Sequence, residues 1–302
     1  MAVSPRLIRR RIKSVTNTRK ITKAMELVAA SKMRKAVSAV LASRPYAAAA
    51  WRAVGELAKV TESKHHPLLA RRDKIKRVLV VLFTSDRGLC GGFNAQLLKA
   101  TADFMKGVPH EVDFVTVGRK GQDALRRQGA KIVATFTDLG NNPKSTDIRP
   151  IADLATSDFV AGAYDRVFIA TTDFRSALVQ KPVVQELLPL IRVAGIGKVD
   201  GQPEMSGGED LHVAESGHEF VFEPSPAAVL DRMLPRLVEV RLYQALLESS
   251  ASEHSARMLA MRSASDAAAD MIDDLTFTFN QARQAGITRE IAEISSGKAA
   301  LE

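Results

Sequence analysis

Cysteine is nearly missing from this chain of 302 residues: Cys90 alone rules out an intrachain disulfide and fits a reducing compartment. No apolar run exceeds about six residues, as in Val78–Phe83, whereas a bilayer-spanning helix needs about 20. The N-terminal stretch MAVSPRLIRRRIKSV lacks the apolar core of a secretory signal, so the expectation is a soluble, intracellular chain. The six histidines show no metal-ligand spacing. No Ser/His/Asp set or paired carboxylates can be recognised, and no stretch reads G-x-x-x-x-G-K-[ST] or G-x-G-x-x-G. The sequence therefore offers no recognisable active site of its own and calls for no cofactor.

What the chain does have is an uneven charge. The formal net charge is +9, but residues 1–77 carry +16, residues 78–225 carry −4 and residues 226–302 carry −3. A basic first quarter points to nucleic acid, a membrane surface or an acidic protein partner. Arg6, Arg9, Arg10, Arg11 and Lys13 spread over several helical faces without aromatic residues for stacking, which weakens the nucleic-acid reading against the acidic-protein one.

Two long helices bracket the chain. Apolar or small residues recur at Ile8, Ile12, Val15, Thr22, Met25, Ala29, Met33, Ala36 and Val40, at the α-helical period. Pro5 suits a first helical turn, and Pro45 is expected to kink the helix without ending it. The pattern fades near Glu62–Pro67, after roughly 55 residues. The last segment opens with Ser225-Pro226, a cap and a first-turn proline. From Leu247 through Ala251, His254, Met258, Met261, Ser265, Ala268, Ile272, Leu275 and Phe279 to Ala282 the steps alternate between four and three, the repeat of a coiled-coil seam. Small residues in that seam allow close approach of a partner helix.

Between the helices the texture changes. Val78–Thr84, Val112–Val117, Ile132–Phe136 and Arg166–Thr171 are short, apolar and β-branched, and they alternate with helix-like stretches at Asn94–Lys106, Lys120–Gln128 and Ile151–Gly162. Such alternation predicts a mostly parallel sheet covered on its faces. The termini of a compact domain usually lie close together, so the flanking helices are expected to run antiparallel as a coiled coil. The division expected is a first helix over 1–62, an α/β domain over 63–224 and a last helix over 225–302. Gly195, Gly197 and the Gly201–Gly217 stretch read as loops. Beyond Ala282, Ile287, Ile291 and Ile294 continue a helical stripe out of phase with the seam, which predicts a contact with another protein.

The glycine-rich stretch TSDRGLCGGFN (Thr84–Asn94) follows a predicted strand, where phosphates often bind. Since it matches no nucleotide-binding fingerprint, a tight structural or contact turn is favoured, with Asp86 and Arg87 as surface partners. Cys90 has no companion that would make it a nucleophile. His254, on the seam, reads as a buried, hydrogen-bonded histidine.

The blocks ITKAMELVAASKMRKA (Ile21–Ala36), TSDRGLCGGFN, VQKPVVQELLP (Val179–Pro189), EPSPAAVLDRMLPRLVEVRLYQALLESSASEHSARM (Glu223–Met258) and NQARQAGITREIAEISSG (Asn280–Gly297) closely resemble the gamma subunit of bacterial F-type ATP synthases. The resemblance implies an α/β fold in which a long antiparallel two-helix coiled coil carries an inserted Rossmann-like domain. It implies a noncatalytic rotor stalk that couples proton flow through a membrane ring of c subunits to ATP synthesis and hydrolysis by the alpha and beta subunits. An epsilon subunit is the further partner implied, with membrane association only through the complex, on the cytoplasmic face of a bacterial inner membrane. Carried over by position, Lys23 and Met25 on the first helix match residues that couple to the catalytic subunits. So do Arg257, Arg283, Gln284, Thr288 and Glu290 on the last. Ile287, Ile291 and Ile294 match the shaft tip, and Phe220, Phe222 and Glu223 the c-ring contact. Lys298 departs from the all-small ending usual in the family. On the residues alone, a nucleic-acid-binding coiled-coil adaptor is the alternative.

Overall fold

In a computed structural model, residues 5–60, 66–72, 74–108, 110–139, 143–190 and 223–299 are described. The elements are α1 (Pro5–Val60), β1 (Arg77–Phe83), α2 (Phe93–Lys106), β2 (Glu111–Val117), α3 (Arg119–Arg127), β3 (Ile132–Phe136), α4 (Ser145–Val160), β4 (Arg166–Phe174), β5 (Gln180–Leu188) and α5 (Pro226–Ala299). Two compact units divide them. One draws on the described residues of Met1–Ala29 and Met258–Glu302, the other on Ala30–Arg257.

The larger unit is built on one five-stranded sheet of order β3-β2-β1-β4-β5. β1 pairs in parallel with β2 and β4, β2 in parallel with β3, and β5 closes the far edge antiparallel to β4. β1 sits centrally and is apolar almost throughout, since Val78 to Phe83 must face packed layers on both sides. One layer of core joins Leu79, Val81, Phe83, Val115 and Val167 to Ile148, Ile151, Ala155 and Phe159 of α4 and to Leu230, Leu234, Leu237, Val238 and Leu242 of α5. The opposite layer joins Val78, Val80, Leu82 and Phe114 to Leu97 of α2 and Leu125 of α3.

The strands and helices fall where the alternation predicts, with two differences. α4 begins at Ser145 rather than Ile151. Asp147 accepts the Lys144 backbone N–H at 2.9 Å and so caps the extra turn. Burial of Ile148, Ile151, Ala152, Ala155 and Phe159 on one face carries the helix past Pro150. β5 escapes the apolar pattern because it carries Lys181, Pro182 and Glu186, residues a sheet tolerates at an edge.

The helical pairing follows the predicted seam in both units. Within the larger unit, Ala36 and Ala251 pack in one cluster with Phe174, Tyr46 hydrogen-bonds Arg236, and Val54 joins the core that contains Leu230 and Leu234. Numbers rise along α1 as they fall along α5, so the helices run antiparallel there. Ser225 caps α5, its Oγ accepting the Ala228 N–H at 3.3 Å. In the smaller unit Ile8, Thr22 and Ala29 face inward from α1 and Met261, Ser265 and Ala268 from α5, all buried. There Arg9 lies over the Phe279 ring at 5.4 Å, a cation–π contact worth about 0.5–1 kcal/mol at an exposed site. Among the described residues no helix is long and apolar enough to cross a membrane.

Candidate functional site

In open α/β sheets, ligands bind outside the carboxyl ends of the strands. Here that crevice is closed by the chain itself. Gly118 follows β2 at φ +94, and a Cβ at this position would lie 2.1 Å from the Thr84 carbonyl oxygen, so the ends of β1 and β2 touch backbone to backbone. The opening backbone N–H groups of α3, where a phosphate would dock, are already taken. Arg119 N–H donates to Asp86 Oδ1 at 3.1 Å, Lys120 N–H to the Ser85 carbonyl at 3.0 Å and Gly121 N–H to Thr84 Oγ1 at 2.8 Å. What remains is a cavity of about 20 Å³ between Thr84, Asp86, Gly118 and the α5 residues Ser249, Ser250 and Glu253. That holds one water, against the roughly 300 Å³ or more that a small-molecule site occupies.

The glycine-rich loop is therefore a structural turn. Asn94 reaches back over it, accepting the Ser85 N–H at 3.1 Å and donating to Ser85 Oγ at 2.7 Å and to Cys90 Sγ at 3.3 Å. Cys90 is buried, which suits packing rather than nucleophilic chemistry. Asp86 corrects the expectation of a surface partner. Its second oxygen accepts the Asp138 N–H at 2.9 Å, so this carboxylate brackets the β1–α2, β2–α3 and β3–α4 connections. Arg87 is exposed, and its backbone is held by α5.

That hold comes from Arg257, for which the resemblance implies contact with a catalytic subunit. Arg257 Nη2 pairs with Glu253 Oε1 at 2.7 Å and donates to the carbonyls of Arg87 and Gly88, both at 3.3 Å. Nη1 lies 3.2 Å from His254 Nδ1, and His254 is buried in the seam as expected. Sequence reasoning missed this internal role because Arg257 and its loop partners are about 170 residues apart. Burial raises the Glu253 carboxyl above its ordinary pKa of 4.5, Arg257 pulls it down, Asp86 pushes it up and Lys32 lowers it, for a net rise.

The other positions carried over by resemblance lie on the helices. Lys23 is exposed and ion-paired with Glu26 at 2.9 Å, and Met25 is half-buried. Arg283, Gln284, Thr288 and Glu290 are all exposed, and Thr288 Oγ1 donates to the Gln284 carbonyl at 3.0 Å. Ile287, Ile291 and Ile294 are exposed at 49%, 62% and 68%. At 100° per residue, those four polar side chains and the three isoleucines share one half of the helix, an arc of about 160°, turned well over 90° from the seam ending at Ala282. The structure thus gathers the polar coupling candidates and the apolar stripe onto one free face. Glu223 is exposed, while Phe220, Phe222 and the stretch 195–217, expected to form a loop, lie outside the described residues, as does the side chain of Lys298. Among the described residues no group of three or more His, Cys, Asp or Glu could hold a metal ion.

Fold and site together define a chain in which two long terminal helices flank, in sequence, an α/β domain whose ligand crevice is sealed. The family model described as ATP synthase matches residues 4–301. The chain is 45% identical over 299 residues, 99% of both chains, to the ATP synthase gamma chain of Pelotomaculum thermopropionicum. It is 44% identical over 294 residues to that of Heliobacterium modesticaldum, covering 97% of this chain and 98% of the other. Among solved structures it is similar to a chain of the central stalk and c-ring of the Tetrahymena thermophila mitochondrial ATP synthase, with a TM-score of 0.59, 26% identity and coverage of 81% and 99%. A chain of the Euglena gracilis mitochondrial ATP synthase shares the fold at a TM-score of 0.66 and 17% identity, over 98% of this chain and 94% of that one. The chain belongs to the ATP synthase gamma-chain family.

Proposed function

We propose that this chain works as the central rotor stalk of a proton-translocating F-type ATP synthase, without catalytic groups of its own. In this reading the helices over 1–62 and 225–302 form the shaft inside an alpha–beta hexamer. The α/β region over 63–224 forms a foot that meets the c ring, through Phe220, Phe222 and Glu223, and the epsilon subunit. The assembly holds it peripherally at the cytoplasmic face of a bacterial membrane. The observation that carries the reading is the free end of α5: from Arg283 to Ser296 every described side chain is exposed, yet the stripe of Ile287, Ile291 and Ile294 is apolar. A 4–3 seam would leave such a stripe in water unless an apolar sleeve received it. Lys23, Met25, Gln284 and Thr288 then meet the catalytic subunits, and Arg257 acts there through the loop it fastens.

Proton flow supplies about 2.3 kcal/mol per charge per 100 mV, so several crossings are pooled for each ATP, and a supercoiled helix pair is a stiff way to carry the torque. The nucleic-acid alternative finds no support among the relatives and structures described above.

The test is ATP hydrolysis by an alpha–beta mixture with no added chain, with the full chain, and with a version ending after Ala285. The full chain is expected to join a stable complex and raise turnover, and the truncated one to turn over less. A chain that neither joins nor alters the rate, and binds DNA tightly at low salt, overturns the reading.

A further inference from the structure

The glycine-rich loop is fastened unevenly. Its base is tied down: Thr84 Oγ1 donates to the Val117 carbonyl at 3.0 Å, and Asn94 bonds both the N–H and the hydroxyl of Ser85. Its crown, residues 87–91, is held thinly. Arg87, Gly88, Leu89 and Gly91 are exposed, and Cys90 alone is buried. Gly88 has open space where a Cβ would stand and Gly91 takes φ +56, so a hinge lies on each side of Leu89. Leu89 itself takes φ +63, a left-handed conformation that leucine rarely adopts, and a side chain 61% exposed gains little packing to offset that strain. The crown is held mainly through two carbonyls just before it. Ser85 Oγ donates to the Arg87 carbonyl at 2.7 Å, and Arg257 Nη2 donates to those of Arg87 and Gly88 at 3.3 Å. Segments with so few buried contacts open at a lower free energy than the fold as a whole.

We infer that residues 87–91 form a strap that swings open on its glycines while the sheet stays folded, with Arg257 as its catch and the strained Leu89 as its spring. The catch is releasable because its bonds are unequal. Glu253 lies one turn before Arg257 on the same helix, so their 2.7 Å ion pair travels with α5. The two strap bonds cross from α5 to the loop and already stand near the long limit of a hydrogen bond. A shift of α5 against the sheet by about 0.5–1 Å therefore breaks the strap bonds and spares the ion pair. Once they are lost, Leu89 relaxes out of the left-handed region, and the 3.3 Å bond from Asn94 Nδ2 to Cys90 Sγ is what remains to be broken. The strap, its catch and its spring all belong to the larger compact unit, so the inference stands apart from the rotor reading.

Cys90 is the chain's one cysteine and is buried under the strap, so its alkylation by iodoacetamide in the full chain counts openings. In the wild type the rate is expected to stay flat as urea is raised well below the unfolding transition, because a local opening exposes little surface, and to climb only where global unfolding takes over. Arg257→Lys keeps a charge for Glu253 but lacks the planar fork that also reaches the carbonyls, and is expected to speed the urea-independent labelling about three- to tenfold. Leu89→Asn suits left-handed backbone and is expected to slow it about threefold. A wild-type rate that rises from zero urea with the slope of global unfolding overturns the strap. Labelling of Arg257→Lys at the wild-type rate overturns the catch, and unchanged or faster labelling of Leu89→Asn overturns the spring.

Discussion

Arg257 offers the sharpest division between two roles, because a coupling residue and an internal strut respond differently in the isolated chain. Its pair with Glu253 is short, at 2.7 Å, with the side chains only 12% and 14% exposed. Two unit charges about 4 Å apart at an effective dielectric near 20 attract by about 4 kcal/mol. Breaking a buried pair costs about 3–5 kcal/mol, against about 0–1 for a surface pair. Arg257→Ala is accordingly expected to destabilise the isolated chain by about 2–3 kcal/mol, because Glu253 is left charged without its partner. Glu253→Gln removes the buried charge while keeping an acceptor, and should cost about 1 kcal/mol. In the double variant the penalties should fall short of their sum by about 1–2 kcal/mol.

Acid sharpens the expectation. The Glu253 pKa is raised in the folded chain, so the folded state takes up a proton above pH 4.5 more readily than the unfolded state. The destabilisation is full above the folded pKa and is relieved as pH falls through it toward 4.5. Removing Arg257 takes away a favourable charge that holds this pKa down, so the Arg257→Ala penalty should shrink from pH 8 to pH 5. Urea midpoints at the two pH values measure it. A penalty under about 0.5 kcal/mol, strict additivity, or indifference to pH would refute the strut.

Gly118→Ala should cost about 3 kcal/mol or more, from the strain of φ +94 and a clash at 2.1 Å with the Thr84 carbonyl, read as a fall in urea midpoint. Asp113 accepts from Arg77 at 2.8 Å and from Lys131 and Tyr164 at 2.9 Å each. Burial pushes its pKa up, but the Lys131, Tyr164 and Arg77 hydrogen bonds together hold it below the ordinary 3.8. Its stabilisation is full above pH 3.8 and is lost as pH falls through the lowered folded value. Asp113→Asn should lose about 2 kcal/mol at pH 7 and show a shallower acid limb in a pH series of urea melts. Arg241 is 3% exposed, with neither Nη hydrogen-bonded among the described residues, and burial lowers its pKa to about 10 despite the charge of Glu186. Since Glu186 keeps Arg166 at 3.4 Å, Arg241→Met should be neutral or stabilise by about 1 kcal/mol in the same assay.

The sequence made the regular parts legible for a physical reason. A seam residue announces itself through neighbours three and four positions away, so Ile8, Thr22, Ala29 and Ala36 on α1 and Ala251, Met261 and Ala268 on α5 could be read in order, and all are buried. The β1 run could be read because both its faces are covered. β5 could not, since an edge strand carrying Lys181 and Pro182 resembles a loop to any pattern based on burial. The start of α4 depended on one capping contact from Asp147, and a proline three residues later argued against it.

The glycine-rich loop is the instructive case. Locally, TSDRGLCGGFN after an apolar strand is what a phosphate cradle looks like. Its meaning is settled by partners far along the chain: Gly118 against Thr84, the opening turn of α3 against Thr84, Ser85 and Asp86, and Arg257 against the carbonyls of Arg87 and Gly88. The α3 contacts take N–H donors that a phosphate would need, the others draw the backbone tight around the loop, and α5 covers the mouth above them. An α/β sheet sealed in this way has surrendered its usual ligand site, and the chemistry left to it is at surfaces. The exposed end of α5 is one such surface.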